Sequence, residues 1–220
     1  NGDGCNPTCQ FTNNVTTFLG NAMTPGVADG NVMQAQFAGT SAFASYGDYL
    51  WVAMVDEADN THVIRQVYVP DRAVITVAGG QPGYQDASGL SARFAGPNSI
   101  TTDGSVLWVG DEGNRRIRSM SLAPPFKVTT VAGNGNVGAN DGIGTSATID
   151  GLRGVTYFRG YVYFLDSNQG TLRRLDPSSD TVTTIAGTVG VFGYKDGPGN
   201  QAQFMSPRYM THDGGSLLYI

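Results

Sequence analysis

The chain has few of the residue types that build catalytic or nucleic-acid-binding sites. Only 14% of its 220 residues are charged, and it contains two histidines and two cysteines. Lysine occurs only at Lys127 and Lys195, and the formal net charge is -5. An acidic chain without a cluster of basic residues cannot neutralise a phosphate backbone, so we expect no nucleic acid among its partners.

Long apolar runs are also missing from the sequence. A membrane-spanning helix needs roughly 18 to 20 consecutive apolar residues, and no stretch approaches that length, so we expect no membrane insertion. Glycine, in contrast, occurs 31 times, beside an ordinary apolar content of 40%. Many glycines with few charges are typical of short strands joined by turns, which predicts an all-β fold.

An internal repeat organises most of the chain. Four similar short segments end in glycine, 54 to 59 residues apart, at Gly20, Gly79, Gly133 and Gly187. A glycine-rich loop with one aspartate follows each segment, and a large apolar residue comes eight positions after that aspartate. The aspartates are Asp29, Asp86, Asp141 and Asp196, and the apolar residues are Phe37, Phe94, Ile149 and Phe204. A period of this length is typical of repeat architectures.

Each unit predicts a four-stranded antiparallel sheet. In the second unit the strand-like runs are residues 98–102, 106–109, 116–120 and 128–131, and the first two are separated by the hairpin signal Asp103-Gly104. One such sheet cannot bury both faces, whereas sheets arranged radially pack against each other. We therefore predict a β-propeller. A parallel β-helix is the alternative, but its periods are shorter and it lacks recurrent hairpin turns.

The second unit also carries a family resemblance. Residues 97–118 contain a proline, a small-aliphatic strand, Asp-Gly, an aliphatic-aromatic strand, then an aspartate, an asparagine and an Arg-Ile pair. This order resembles the NHL repeat, and the first and third units match it more loosely. The Asp-Gly-x-Gly loops at residues 141–144 and 196–199 resemble a variant found in secreted and cell-surface propellers. The resemblance covers residues 15–220.

The resemblance also implies a number of blades. The chain contains three full units and the start of a fourth, whereas NHL propellers usually have six blades that close into a ring. We therefore expect residues 15–220 to be part of an incomplete six-bladed propeller, and the sequence to be a fragment. A self-contained propeller of four blades is the alternative.

The first fourteen residues form a separate segment. It contains both cysteines, Cys5 and Cys9, and it resembles the tail of a Cys-rich repeat of large secreted proteins. We expect a disulfide, either between these two cysteines or to partners outside this sequence. Asn14-Val15-Thr16 is a glycosylation sequon, so an N-linked glycan is predicted at Asn14. These features predict an extracellular or cell-surface location.

Candidate catalytic residues are scarce. The two histidines, His62 and His212, lie far apart in the chain, and neither cysteine is placed beside a histidine as a nucleophile would need. We therefore predict no catalytic residue, no cofactor and no metal site.

The recurrent charged residues have simpler explanations than ligand binding. The loop aspartates could offer oxygens to Ca²⁺, but each loop has one or two carboxylates where calcium takes six to eight ligands, so turn formation is the simpler role. An arginine recurs in the third strand of each unit, at Arg65, Arg118 and Arg173. We expect these side chains to pair with a neighbouring blade or to lie over an aromatic ring.

Together these features predict a non-catalytic binding or scaffold module of a larger extracellular protein. Its partners would be other proteins or further copies of itself, for instance in a filament or a cell-surface appendage. The alternative is a propeller enzyme, a lyase or hydrolase, whose metal site lies in blades outside this sequence.

Overall fold

The computed structural model describes residues 16–21 and 23–220. Cys5, Cys9 and Asn14 lie outside the described residues, so the disulfide and the glycan stay predictions. The boundary between residues 1–14 and the repeats lies there as well.

The described chain is built from antiparallel sheets in which neighbouring strands follow one another along the chain, except that the short β9 pairs with β13. Blade one contains β1 (Thr40–Tyr46), β2 (Tyr49–Asp56), β3 (Thr61–Tyr68) and β4 (Ala73–Gly80). Blade two contains β5 (Pro97–Thr102), β6 (Val106–Asp111), β7 (Arg116–Ser121) and β8 (Val128–Ala132). Blade three contains β9 (Gly142–Ile143), β10 (Leu152–Phe158), β11 (Tyr161–Asp166), β12 (Thr171–Asp176) and β13 (Thr181–Ala186). A hairpin of β14 (Thr211–His212) and β15 (Leu218–Tyr219) follows.

Helical structure in the described residues is confined to single turns. These are 3₁₀ turns at Gly89–Ser91, Glu112–Asn114, Gly144–Ser146 and Gly199–Gln201. No described helix is long and apolar enough to cross a bilayer. The all-β prediction is therefore confirmed, and the four strands predicted for the second unit each lie within one or two residues of an observed strand.

The hairpin turns at the inner strands differ in chemistry between blades. In blade two the Asp103 carboxylate accepts hydrogen bonds from the backbone N–H groups of Ser105 and Val106, at 2.7 and 2.9 Å. Blade three has no Asp-Gly pair, and its turn uses Arg159 and Gly160, both with positive φ (50° and 85°). Two successive residues in the left-handed conformation match the twist of a tight hairpin, and glycine at the second position lowers the conformational energy of the turn.

Each blade is also paired with the loop that precedes it. The backbone of Gly30 forms a bridge with Val74 of β4, Ser88 forms one with Lys127 beside β8, and β9 pairs with β13. The loop thus runs along the outermost strand of the blade that it leads into. The structural repeat begins in this loop and ends at the outermost strand.

The core lies between the blades. Trp51 and Ile64 of blade one share a buried cluster with Phe94 and Met120 of the second unit. A second cluster joins Trp108 of blade two to buried residues of blade three. Because each sheet buries its faces against its neighbours, the repeats stabilise one another, as in the predicted radial arrangement.

The innermost strands β1, β5 and β10 lie side by side, and side-chain hydrogen bonds join β5 to β10 and β10 to the fourth unit. The Asn98 Nδ2 donates to the carbonyl oxygen of Leu152 at 3.0 Å, and the Tyr157 N–H donates to Thr101 Oγ1 at 3.0 Å. The Thr156 hydroxyl donates to the carbonyl oxygen of Met210 at 3.1 Å. The innermost strands therefore form a continuous wall, and the space in front of it is called the inner groove below.

Replacing Phe94 with alanine tests the core between blades one and two. The Phe94 side chain is fully buried, so Phe94→Ala should lower the free energy of unfolding by about 3–5 kcal/mol. Leu90→Ala is the matched control in the same loop, because Leu90 is 60% exposed, and it should cost less than about 0.5 kcal/mol. Urea denaturation of both variants measures the difference, and equal losses would contradict this packing.

Candidate functional site

The three repeated arginines are buried and form hydrogen bonds and ion pairs with partners within their own units. Arg65, Arg118 and Arg173 have fully buried side chains. Each guanidinium pairs with the aspartate of the preceding loop, at distances of 2.9, 2.7 and 3.0 Å. Each also lies over a phenylalanine ring, 4.9 to 5.4 Å from its centre. The aromatic contact agrees with the sequence analysis, but the ion pair is made to the loop of the same unit and not to a neighbouring blade.

A second aspartate reaches the guanidinium in two of the three blades. Arg118 Nη1 lies 2.6 Å from Asp111 Oδ2, and Arg173 Nη1 lies 3.2 Å from Asp166 Oδ2. Both carboxylates are fully buried, and burial raises their pKa above the ordinary aspartate value even though hydrogen bonds and the nearby arginine act in the other direction. In blade one the strand pairing puts Met54 at this position, and Arg65 Nη1 lies 3.6 Å from its sulfur.

The loop aspartates use both of their oxygens within the unit. The backbone N–H of a threonine in the outermost strand donates to one oxygen, and its hydroxyl donates to the other, at 2.8 to 3.1 Å. The pairs are Asp29 with Thr76, Asp86 with Thr130, and Asp141 with Thr184. These aspartates therefore link a loop to the outermost strand, so their role extends beyond forming a turn.

No calcium site is supported by this geometry. The Asp29, Asp86 and Asp141 carboxylates are engaged by arginine and threonine donors, and the equivalent Asp196 is exposed. Within residues 16–21 and 23–220, no three His, Cys, Asp or Glu side chains are grouped so that they could hold a metal ion.

The two histidines have separate structural roles. His62 lies at the contact between the first two blades, where its Nδ1 accepts a hydrogen bond from the Gly96 N–H at 2.7 Å. Burial lowers the pKa of His62, an effect that the charge of Glu57 only partly opposes. His212 lies in the inner hairpin of the fourth unit, stacked on Phe158 with 4.9 Å between ring centres. The fold does not bring the two histidines together.

The two ends of the inner groove are lined by residues that are not the same in all units. Three contiguous cavities of about 510, 460 and 380 Å³ follow one another along the innermost strands. The residue four positions after the repeated apolar residue lines the first cavity, and in successive units it is Ser41, Asn98, Arg153 and Arg208. We call this the arginine end. The opposite end, called the aromatic end, contains Tyr46, Tyr157, Phe158 and His212.

Polar groups are held in place at both ends of the groove. At the arginine end, Glu112 pairs with Arg153 at 2.6 Å and accepts a hydrogen bond from Asn98 at 2.7 Å. At the aromatic end, burial alone would raise the pKa of Asp103, but hydrogen bonds from Ser105, Val106 and the Trp108 indole lower it below the usual value. Asp103 is therefore held ionised by local donors and has a structural role in its turn.

Sequence reasoning did not identify the groove residues. Arginine at the position of Arg153 and Arg208 occurs only in the third and fourth units, and Tyr157 belongs to no repeated motif, whereas motif analysis selects what all units share. The sequence signal for these residues was variation between the units and not repetition. At both ends of the innermost strands, positions at which aligned units carry different residues face the groove, whereas the middle position is Thr101, Thr156 and Thr211 in three units.

Comparison with known proteins supports the fold. No family model matches the chain. Human NHL repeat-containing protein 2 is 26% identical over 200 residues, which cover 79% of this chain. The Arabidopsis thaliana protein SUPPRESSOR OF QUENCHING 1, chloroplastic, is 27% identical over 140 residues, or 59% of the chain. The aligned regions span only 27% of the human protein and 13% of the plant protein.

A solved structure extends this likeness. An auxiliary nutrient binding protein from Bacteroides ovatus superposes with a TM-score of 0.62 at 18% sequence identity, over 82% of this chain and 44% of that structure. At this level of identity the likeness concerns the fold, and it agrees with the antiparallel four-stranded blades described above.

Removing the buried guanidinium of blade two should destabilise the protein strongly. Arg118→Met leaves the Asp111 carboxylate buried without its cation, and breaking a buried pair in this way costs about 3–5 kcal/mol. Arg159→Met removes the same charge from an exposed turn and should cost less than about 0.5 kcal/mol. The double variant Arg118→Met/Asp111→Leu should lose less stability than Arg118→Met alone. A double variant that is no better than the single one would show that Asp111 is not the source of the cost.

The lowered pKa of His62 predicts a pH-dependent stability. The unfolded chain binds the proton near the ordinary value of 6.5, whereas the folded state keeps the imidazole neutral to accept the Gly96 bond. The free energy of unfolding should therefore fall as the pH is lowered from about 7.5 to about 5.5. His62→Gln should flatten this slope, and the control His212→Gln should not. Thermal unfolding across this pH range measures both slopes, and a flattened slope in His212→Gln alone would refute the assignment.

Proposed function

We propose that this NHL-like β-propeller is a non-catalytic binding module of a larger protein, and that it holds a protein partner in its inner groove. One observation carries the proposal. The charged residues that recur in all three blades are used in the buried network, whereas positions that are not the same in all units line both ends of one continuous groove. The recurring charged residues are engaged by partners within the scaffold. The groove residues that differ between units are therefore the ones available to recognise a ligand.

The chemistry of the groove fits a polypeptide. Phe43, Tyr46 and Tyr209 are 65%, 56% and 81% exposed. Phe43 and Tyr209 line the arginine end beside the arginines, and Tyr46 lies at the aromatic end. Exposed aromatic residues and arginine are the types that dominate the binding energy of protein interfaces. The innermost strands β1 and β10 have seven residues each, so the groove is about 20 Å long, enough for an extended segment of six or seven residues.

The groups that could perform chemistry support binding over catalysis. His62 is used in a contact between blades, and the repeated aspartates of the first three units are paired with arginines. The solved relative from Bacteroides ovatus is itself named as a nutrient binding protein. An enzymatic role, as a lyase or hydrolase, would require further histidines or carboxylates facing the groove from parts of the protein outside residues 1–220.

We also propose an extracellular or cell-surface location. The support comes from the two cysteines and the sequon, Cys5, Cys9 and Asn14, at the start of the sequence. In that setting the propeller would act as a rigid support, presenting its groove to another protein or to another copy of the same protein.

Cross-linking in the full-length protein tests the groove as the binding surface. A photoreactive amino acid at position 43 or 209 should cross-link a partner polypeptide, whereas the same group at Tyr194, 88% exposed in the loop of the fourth unit, should not. The affinity of the identified partner should fall at least roughly tenfold in Tyr46→Ala/Tyr209→Ala, because truncating an aromatic hot spot costs about 2 kcal/mol or more. Tyr194→Ala is the control and should leave the affinity unchanged. Binding that is insensitive to the double variant would overturn the proposal.

A further inference from the structure

We propose that the arginine end of the inner groove binds carboxylate side chains, and that the bound partner segment is therefore acidic. This inference rests on the proposed function and specifies the chemical class of the partner segment. Arg153 and Arg208 occupy equivalent positions in successive units and line the same cavity of about 510 Å³ together with Asn98 and Ser41. The two guanidinium groups face one space and can donate hydrogen bonds to an oxyanion. The Asn98 amide donates to Glu112 and to Leu152, so it helps to hold the carboxylate that pairs with Arg153.

Each innermost strand has a β-bulge near the arginine end of the groove. In all three blades the pairing of the innermost strand shifts by one residue at its start, between Thr40 and Ala42, Pro97 and Ser99, and Arg153 and Thr156. Such β-bulges bend a strand and redirect its side chains. Ser41 and Asn98 are the extra residues in the first two blades, and both line the cavity.

Gly154 brings the two arginines close together. Its φ is +52°, and a Cβ at this position would lie 3.0 Å from the carbonyl oxygen of Arg208. A larger residue would therefore strain the backbone and push the fourth unit away from β10. The glycine thus allows the strand that carries Arg208 to approach the strand that carries Arg153.

The charge of the site favours a singly charged anion. Glu112 pairs with Arg153, which fixes that guanidinium but cancels one positive charge, and Arg208 is exposed. The arginine end therefore keeps about one net positive charge on a protein whose net charge is -5. A carboxylate matches this single charge and the planar fork of a guanidinium, whereas a phosphate carries more charge than the site would neutralise.

Four other described arginines differ from this pair in burial or in position. Arg65, Arg118 and Arg173 are fully buried and their donors face loop carbonyls and aspartates of their own units, so they have no access to a ligand. Arg159 is exposed, but it lies at the aromatic end, over Phe158 at 5.6 Å. Arg159 is therefore a charge-matched control for Arg208 at the other end of the same groove.

Binding of a glutamate-rich peptide to the full-length protein tests the inference. A fluorescent peptide of six glutamates should bind, and the corresponding glutamine peptide should bind at least about tenfold more weakly. Arg208→Gln and Arg153→Gln should each weaken the glutamate peptide by about tenfold, whereas Arg159→Gln, with the same change of net charge, should change affinity less than about twofold. Arg208→Lys should fall between, because it keeps the charge but loses the fork. Thermal unfolding confirms that each variant is folded.

The following outcomes would overturn the inference. Failure of the wild type to bind the glutamate peptide would do so, as would an equal loss in Arg159→Gln and Arg208→Gln, which would indicate general charge attraction. Displacement of the peptide by inorganic phosphate at concentrations at which acetate has no effect would assign the site to phosphate groups instead. The partner identified by cross-linking separates this result from the function itself. If its affinity depends on Tyr46 and Tyr209 but not on Arg208, the binding module stands and the carboxylate site fails.

Discussion

Each blade depends on one buried guanidinium. From the third strand of a blade it reaches the loop that leads into that blade, and the loop aspartate continues to a threonine of the outermost strand, as in Arg118, Asp86 and Thr130. An unpaired charge at this depth would be strongly destabilising, so the loop is held in one position. The aspartate also occupies a backbone N–H at the outer edge of the sheet. The same contact that fixes the loop thus protects an edge at which another chain could pair.

This network has a consequence for binding. The buried charges lie in the second and third strands and in the loops, so the innermost strands contribute to the groove without carrying them. Equivalent groove positions can therefore hold residues as different as Ser41 and Arg208 within one chain, while Arg65, Arg118 and Arg173 are the same in all three blades. The groove residues and the buried charges therefore lie on different strands of the same sheet, so a repeated scaffold can present a surface that does not repeat.

Features that depend on local sequence were predicted from the sequence, and those that depend on distant contacts were not. The strands of the second unit and the turn at Asp103-Gly104 follow from residues close together in the chain. The partners of the loop aspartates lie 32 to 47 residues away, and the groove brings together positions about 55 residues apart. The contact of Met54 with Arg65 depends on how the two strands pair, because Met54 lies two residues from Val52, the strand partner of Arg65. Pattern alone could show that these arginines recur, but not which aspartates they pair with.

The aromatic residue over each arginine shows which property of the network is constrained. In the first two blades the residue paired with the arginine across the sheet is a valine, Val52 or Val109, and the loop supplies the ring of Phe37 or Phe94. In blade three the paired residue is Phe164, and the loop position holds Ile149. The large and small residues have exchanged places, so the buried volume is kept and the guanidinium still lies on an aromatic face. The fold therefore requires a filled space and a ring beside the charge, and it accepts either strand or loop as the source of that ring.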